Sequence, residues 1–179
     1  MSFLPKNYEI PVDSNWMKFE EGENRFRVLN AAIVGTEYWT EEGDKRLPVR
    51  VKPEVSVQLS KVAMNTFTGE PDIKHFWMFP VWNYKAKKIQ ILELTQKTIM
   101  KEIRGLSANK KWGDPQEYDI VVTKGKDGGK TVYSTIPDPK EELTPDIVET
   151  AAKTYVNMDA IWKGGDPFKE DVDPSEVKV

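Results

Sequence analysis

The chain has 179 residues, a formal net charge of −3, one histidine and no cysteine. Its length is that of a single domain that buries its own hydrophobic core. Because cysteine is absent, disulfides and thiolate metal sites are excluded, and a single histidine excludes a Cys/His zinc module. No run of about 18 apolar residues occurs, so we expect a soluble, intracellular protein.

The charged residues are unevenly distributed along the chain. Residues 74–111 contain nine Lys or Arg against two Glu, whereas residues 140–179 contain 5 basic and 10 acidic side chains. Such segregation is typical of a basic binding surface together with an acidic tail that competes for it. The net negative charge therefore does not exclude an anionic partner.

From the N-terminus, the pattern predicts an irregular arm over residues 1–20, where two prolines prevent a long helix. Gly35 indicates a bulge or a bend in the first predicted strand (25–39). Pro80 indicates that the strand predicted at residues 75–83 is an edge strand or contains a bulge. Residues 53–73 predict either a strand or a short helix. Alternating apolar residues and turn signals predict strands at residues 25–39, 47–51, 75–83, 88–94, 118–124 and 130–136.

Two helices and a tail complete the predicted elements. Thr95 caps a helix that runs to about Ala108. Residues 144–146 (TPD) combine a capping hydroxyl, a first-turn proline and an acid, and they predict a second helix that ends before Gly164. Residues 166–179 contain five acids and few apolar side chains, so we expect them to be disordered.

These elements predict an α+β chain that is mainly β. A helix between two hairpins favours an OB-fold-like five-stranded barrel with an inserted helix, a C-terminal helix and a disordered acidic tail. The predicted organisation is an N-terminal arm (1–20), an OB-like core (21–139), a C-terminal helix (140–165) and a flexible acidic tail (166–179).

Residues 74–88 carry the clearest functional pattern, five aromatic residues followed by three lysines. Aromatic rings stack on any base and lysines neutralise phosphates, so the pattern is typical of a platform for unpaired nucleic acid. Strand alternation places Trp77 on one face and Phe76 and Trp82 on the other. One face packs the core, and the other is covered by a helix, paired with a second subunit or used for stacking; the pattern does not say which face is which. The candidate binding residues here are Phe76, Trp77, Trp82, Tyr84, Lys85, Lys87 and Lys88.

A second group of basic and aromatic residues lies in the first predicted strand. Arg25 and Arg27 share one face of that strand, and Tyr38 and Trp39 lie at its far end. All four are candidate contacts to nucleic acid. Core packing of Trp39 and solvation of the two arginines explain the pattern equally well.

No catalytic motif is present. The chain has no Gly-rich phosphate loop with a lysine and no glycine-flanked nucleophilic serine, and one histidine does not support a convincing Ser-His-Asp triad. The acidic clusters at residues 20–23 and 41–44 lie on predicted turns, where solvated carboxylates are the ordinary case. We therefore expect neither an enzyme nor a metal or other cofactor.

Four segments of the chain resemble the single-stranded DNA-binding proteins of tailed bacteriophages: residues 23–29 (ENRFRVL), 74–84 (KHFWMFPVWNY), 89–97 (IQILELTQK) and 111–115 (KWGDP). The resemblance covers roughly residues 17–139 and implies an OB-fold core. It also implies a protein that coats single-stranded DNA during replication, recombination and repair in the cytoplasm of an infected bacterium. In that family an acidic C-terminus recruits replication and recombination proteins, a role that falls here to Asp166, Phe168, Glu170, Asp171, Asp173 and Glu176.

The chain also departs from that family. It cannot hold the zinc of the best-known phage member, and residues 1–20 contain only two lysines, so they do not match a basic cooperativity arm. Two alternatives stay open. One is a strand-annealing or RNA-binding OB protein, and the other is a structural or partner-binding phage protein whose aromatic face packs a subunit interface.

Overall fold

A computed structural model describes residues 14–170, together with Phe3, Pro5, Lys6 and Tyr8. This part of the chain forms eight strands, two α-helices and three short 3-10 helices. The strands are β1 (Trp16–Met17), β2 (Gly22–Val28), β3 (Ile33–Glu42), β4 (Lys45–Val51), β5 (Ile73–Asn83), β6 (Lys88–Leu94), β7 (Asp119–Asp127) and β8 (Lys130–Pro137). The α-helices are α1 (Lys97–Ala108) and α2 (Pro145–Lys153), and the 3-10 helices are Leu59–Lys61, Pro115–Glu117 and Met158–Lys163.

The strands of the described region belong to one sheet with β5 at its centre. Its main path runs in the order β1-β6-β5-β2-β7-β8. The first half of β5 pairs with β3 and the second half with β2, while β4 extends the sheet beyond β3. The short pair of β1 and β6 is parallel and the other pairs are antiparallel. The prediction of a mainly β chain with few helices is confirmed.

Pro80 lies at the point where β5 changes neighbours. β3 pairs with β5 as far as Met78, and β2 takes over from Val81. The carbonyl of Pro80 accepts a hydrogen bond of 3.0 Å from the N–H of Leu29, in the gap between β2 and β3. In a strand the N–H and C=O of one residue point to the same side, so the N–H that proline lacks would also point into this gap. The prediction of an edge strand or a bulge is therefore wrong. A proline is tolerated in this central strand because no neighbour needs its N–H.

The strand predicted over residues 25–39 is divided into β2 and β3 by the loop 29–32. Gly35 lies in β3, whose register with β5 is continuous, so the predicted bulge is absent from this pair. A close approach explains the glycine instead. A Cβ at residue 35 would stand 2.4 Å from the carbonyl oxygen of Val51 and 2.9 Å from the indole of Trp162.

The inner face of the sheet packs against α1. Ile99 and Ile103 lie four residues apart, on one face of the helix, and both are buried. The helix ends at Ala108 as predicted, but it begins after Gln96, so the predicted cap at Thr95 is wrong. The strand residues buried in this layer include Phe26, Val28, Phe79, Val81, Leu92, Leu94, Ile120 and Val122.

The outer face of β5 and β6 is covered by residues 143–168, which we call the C-terminal cover. α2 packs through Ile147 against Trp82, and the 3-10 helix that follows packs through Ile161 against Phe76. The single helix predicted for this region is therefore wrong, because α2 ends at Lys153. The side chain of Asn157 accepts a hydrogen bond from the N–H of Asp159 and starts the 3-10 helix.

Residues 52–72 form a loop with little regular structure. It contains the 3-10 helix Leu59–Lys61 and a turn closed by a bridge between Met64 and Pro71. Within the turn, the side chain of Asn65 accepts hydrogen bonds from the N–H groups of Phe67 and Thr68. Of the two forms predicted for this region, the structure has only a short helical turn.

Candidate nucleic-acid interface

Two of the predicted stacking residues are buried beneath the C-terminal cover. The side chain of Phe76 is 0% exposed and that of Trp82 is 8% exposed. The ring of Phe76 lies 5.9 Å from that of Trp162, and Trp82 packs with Ile147 and Phe168. Neither ring presents a face to solvent, so the prediction that they stack on bases is not supported by this structure. They anchor the cover instead.

Asp119 gathers three of the predicted contacts into one cluster. Its carboxylate accepts hydrogen bonds from Nε of Arg27 at 2.7 Å and from the hydroxyl of Tyr84 at 2.8 Å, and it pairs with Arg25. Arg27 and Asp119 are each 3% exposed. Burial, followed by the Asp119 carboxylate, raises the pKa of Tyr84 to about 12. Arg27 is therefore a structural residue rather than a phosphate ligand.

Arg25 and Tyr84 keep partial access to solvent above this cluster. The guanidinium carbon of Arg25 lies 4.4 Å from the centroid of the Tyr84 ring, and about half of the Arg25 side chain is exposed. This cation–π pair covers the ring that was predicted to stack on a base. Arg25 also contacts Asp138 at 3.3 Å, so its charge is shared between two carboxylates.

The three predicted lysines lie in and beside the turn between β5 and β6. Lys85 forms an ion pair with Glu20, and Nζ of Lys88 lies 3.5 Å from the side-chain oxygen of Asn15. Lys87 is exposed and has a positive φ of 53°. The turn is eight residues from Trp77, or about 26 Å along an extended strand. The structure therefore does not bring these lysines together with that tryptophan.

Tyr38 and Trp39 point to opposite faces of β3, so they do not form one site. The backbone of Trp39 bonds to Asp72 and Ala63 of the following loop. Tyr38 lies on the inner face, the same face as Trp77. Of this pair, only Tyr38 therefore shares a face of the sheet with Trp77.

The structure does bring together a row of residues on the inner face, beyond the part packed on α1. Val34 pairs with Trp77 and Thr36 with His75 across β3 and β5, and Tyr38 continues the row. Val34 is 38% exposed, His75 is exposed, and the other three are half-buried. We call these five residues the inner track.

The Trp77 end of the inner track opens into a trough of about 670 Å³. Its walls are the loop 29–32, β5, α1 and the segment before β7. Val34, Phe79 and Ile103 make the trough apolar, and Arg104 adds a cation to its wall. Asp114 adds one carboxylate, which also accepts a hydrogen bond from the backbone of Gln116.

Arg104 belongs to a basic stripe on α1. Lys97, Lys101 and Arg104 are spaced by four and three residues, which places them on one side of a helix, and all three are exposed. These three cations belong to the basic segment 74–111 noted in the sequence, but none of them was among the predicted contacts. The helical spacing of the three cations is the signal that identifies this edge.

At its other end, the inner track reaches a smaller cleft of about 250 Å³. Tyr38 lines it together with Val51, Val57 and Lys61. The track thus runs between two hollows, with a basic side chain and an aromatic ring at each. An extended polyanion with flat bases is the class of ligand that this arrangement suits.

A separate charged cluster lies on the outer face, where Arg50 stands between two glutamates. Its Nε lies 2.8 Å from Glu37 and its Nη2 lies 3.1 Å from Glu93, while its guanidinium carbon lies 5.6 Å from the ring centroid of Trp16. Burial, followed by the neighbouring Glu37 side chain, raises the pKa of Glu93 to about 7, against the opposing effect of Arg50.

This cluster makes stability depend on pH. Because the pKa of Glu93 rises from 4.5 to about 7 on folding, the folded state holds the proton more tightly than the unfolded chain. The contribution of Glu93 is therefore greatest below pH 4.5 and is lost as the pH rises through about 7. Urea unfolding at several pH values should show that Glu93→Gln removes this loss. Parallel curves for the variant and the wild type would contradict the assignment.

The predicted partner-binding tail begins as packed structure. Pro167 is buried, its carbonyl accepts a hydrogen bond of 2.8 Å from the N–H of Asn157, and Phe168 packs in the C-terminal cover. The prediction that disorder begins at Asp166 is therefore wrong. Glu170 is exposed at the end of the described region. Asp171, Asp173 and Glu176 lie outside the described residues.

The part of the chain that the structure describes contains neither a metal-binding cluster nor a membrane-spanning helix. No group of three or more His, Cys, Asp or Glu in this part of the chain is arranged to hold a metal ion. None of its helices has the length and apolar character needed to span a membrane. No protein-family model, no curated protein and no solved structure matches the chain.

Proposed function

We propose that this chain is a single-stranded DNA-binding protein that coats and protects the strand without reading its sequence. The observation that carries the proposal is the inner track, where the half-buried Trp77 lines a trough whose wall also includes Arg104. An indole and a guanidinium in one groove suit a base and its phosphate. The basic stripe of α1 extends the charged edge of this groove.

In this proposal bases stack on Trp77 and Tyr38, and each stacked base contributes about 1–3 kcal/mol. Lys97, Lys101 and Arg104 contact phosphates, and such contacts position a strand without carrying sequence information. The trough is lined mainly by apolar side chains, which accept the flat face of any base. Binding independent of sequence follows from this lining.

The finer assignment of the fold as an OB-like barrel is part of the proposal. It is supported by the connectivity: β2–β3, β5 and β6 form a meander, α1 follows, and the hairpin β7–β8 returns to pair with β2. A five-stranded barrel of this kind binds oligonucleotides on an open face. The chain then acts in phage replication, recombination and repair in the cytoplasm of an infected bacterium, and acidic residues within 166–179 recruit its partner proteins.

Titration with poly(dT), monitored by tryptophan fluorescence at about 50 and about 200 mM salt, tests the proposal. We expect quenching, and an affinity that falls with salt with a logarithmic slope of about −2, because three cations contact phosphates and each contributes about −0.7. Absence of quenching, or an affinity indifferent to salt, would contradict it. Competition between dT and U oligomers distinguishes a DNA-binding protein from an RNA-binding one.

A further inference from the structure

We propose that two copies of this chain pair through β8, with the two strands antiparallel about a two-fold axis at Ser134. In the described region β8 has one strand neighbour, β7, and stands at the end of the sheet. An edge strand presents a row of backbone N–H and C=O groups that an identical strand can satisfy. The contact uses backbone groups of β8 and none of the inner-track residues, so the inference does not depend on the proposed function.

β8 lacks the features that protect the other long edge of the sheet. Among the described strands β4 pairs only with β3, and it carries Lys45, Arg46 and Pro48, which hinder pairing with another strand. In β8, residues 131–136 are six consecutive uncharged residues, four of them β-branched. On its outer face, Val132 is 43% exposed and Ile136 is 52% exposed. Residues 131–136 therefore contain no charge and no proline that would hinder pairing with a partner strand.

The hairpin turn determines which backbone groups of β8 are available. Asp127 pairs with Lys130 across a two-residue turn, so these two residues exchange backbone hydrogen bonds with each other. Bonding alternates along an antiparallel strand, and the even-numbered residues of β8 therefore bond to β7. The N–H groups of Thr131, Tyr133 and Thr135 point to the free edge, and Pro137 ends the row without one.

Side-chain complementarity selects the register. With the axis at Ser134, Lys130 lies opposite Asp138 of the second copy, and Val132 lies opposite its Ile136. An axis at Tyr133 places Lys130 opposite Ile136, and an axis at Thr135 places it opposite Lys140. Opposite charges and apolar pairs across strands stabilise a sheet, and like charges destabilise it. Asp138, held at 3.3 Å by Arg25 of its own chain, is still about one third exposed.

In a dimer of this kind the two sheets join into one. The contact pairs Val132 with Ile136 twice and Lys130 with Asp138 twice, because the interface is symmetric. The two inner tracks would then be carried by one particle. Once a long nucleic-acid strand is bound to one track, the spacing of the two tracks sets its effective concentration at the other.

Disulfide trapping in the full chain tests both the contact and its register. The chain has no cysteine, so each variant introduces a single thiol. In Ser134→Cys the two thiols face each other at a non-hydrogen-bonded pair, with Cα atoms about 4.5 Å apart, within the range of a disulfide. The matched control is Val132→Cys, whose two Cα atoms are about 13 Å apart in this register.

We expect Ser134→Cys to form a disulfide-linked dimer under mild oxidation and Val132→Cys to form no disulfide between its two copies. Equal trapping of the two variants, or stronger trapping of Val132→Cys, would overturn the register. Sedimentation of the wild type should show a dimer, and Lys130→Glu should weaken it by about tenfold because it places two carboxylates opposite each other. A wild type that is monomeric at every concentration up to about 100 times that of the fluorescence titration would overturn the proposal.

Discussion

Replacing Asp119 with alanine is expected to lower the free energy of unfolding by about 3–5 kcal/mol. The substitution leaves the guanidinium of Arg27 buried without its carboxylate, and it removes the acceptor of the Tyr84 hydroxyl. Arg25 loses the same partner but is half exposed, so water compensates for most of its loss. Equilibrium unfolding in urea, followed by circular dichroism, measures the effect.

A matched control lies on the same strand. Asp127 is exposed at the end of β7, and Asp127→Ala should change the free energy of unfolding by no more than about 0.5 kcal/mol. A loss of less than about 1 kcal/mol in Asp119→Ala would show that the cluster does not depend on its central charge. Such a result would return Arg27 to the list of candidate phosphate contacts.

The two tryptophans of β5 are expected to separate binding from stability. Trp77→Ala should weaken binding of poly(dT) by about 1–3 kcal/mol, or about 5- to 150-fold, because it removes the stacking surface of the trough. Trp82→Ala should lower the free energy of unfolding by about 3–5 kcal/mol, because the indole is buried against α2. At a temperature where it is folded, the Trp82 variant should bind poly(dT) like the wild type.

The reverse result has a definite meaning. If Trp82→Ala loses affinity and Trp77→Ala retains it, the outer face is the binding surface, and the C-terminal cover must leave the sheet for DNA to enter. Fluorescence titration and urea unfolding on both variants, at one salt concentration, are sufficient to distinguish the two outcomes. Trp39→Ala, on the outer face of β3, is a suitable third variant for comparison.

Local sequence patterns predicted the elements well where packing repeats a simple period. The alternation in β5 correctly separated Trp77 from Phe76 and Trp82, and the spacing of Ile99 and Ile103 identified the buried face of α1. Which face of β5 is open was not predictable. That choice depends on the C-terminal cover, which lies about 70 residues further along the chain.

The candidate site was predicted only in part, because contacts between distant segments of the chain complete it. Tyr38 and Trp77 were candidates from their neighbours in the sequence, but Val34 and Arg104 join them only through the sheet register and the placement of α1. Arg27 shows the opposite error. Its position on one strand face with Arg25 suggested a phosphate contact. Its buried partner, Asp119, is 92 residues distant in sequence, so the local pattern did not reveal the ion pair.

The contact at Gly35 links two distant parts of the chain in a way that bears on how the sequence can change. Because Gly35 has no Cβ, the edge of the Trp162 ring fits against its backbone. A Cβ at residue 35 would lie 2.9 Å from that ring. A mutation that enlarges residue 35 is therefore tolerated only after residue 162 has become smaller. Because the carbonyl of Val51 is closer still, β4 must shift as well, so the permitted order of substitutions at these three positions is narrow.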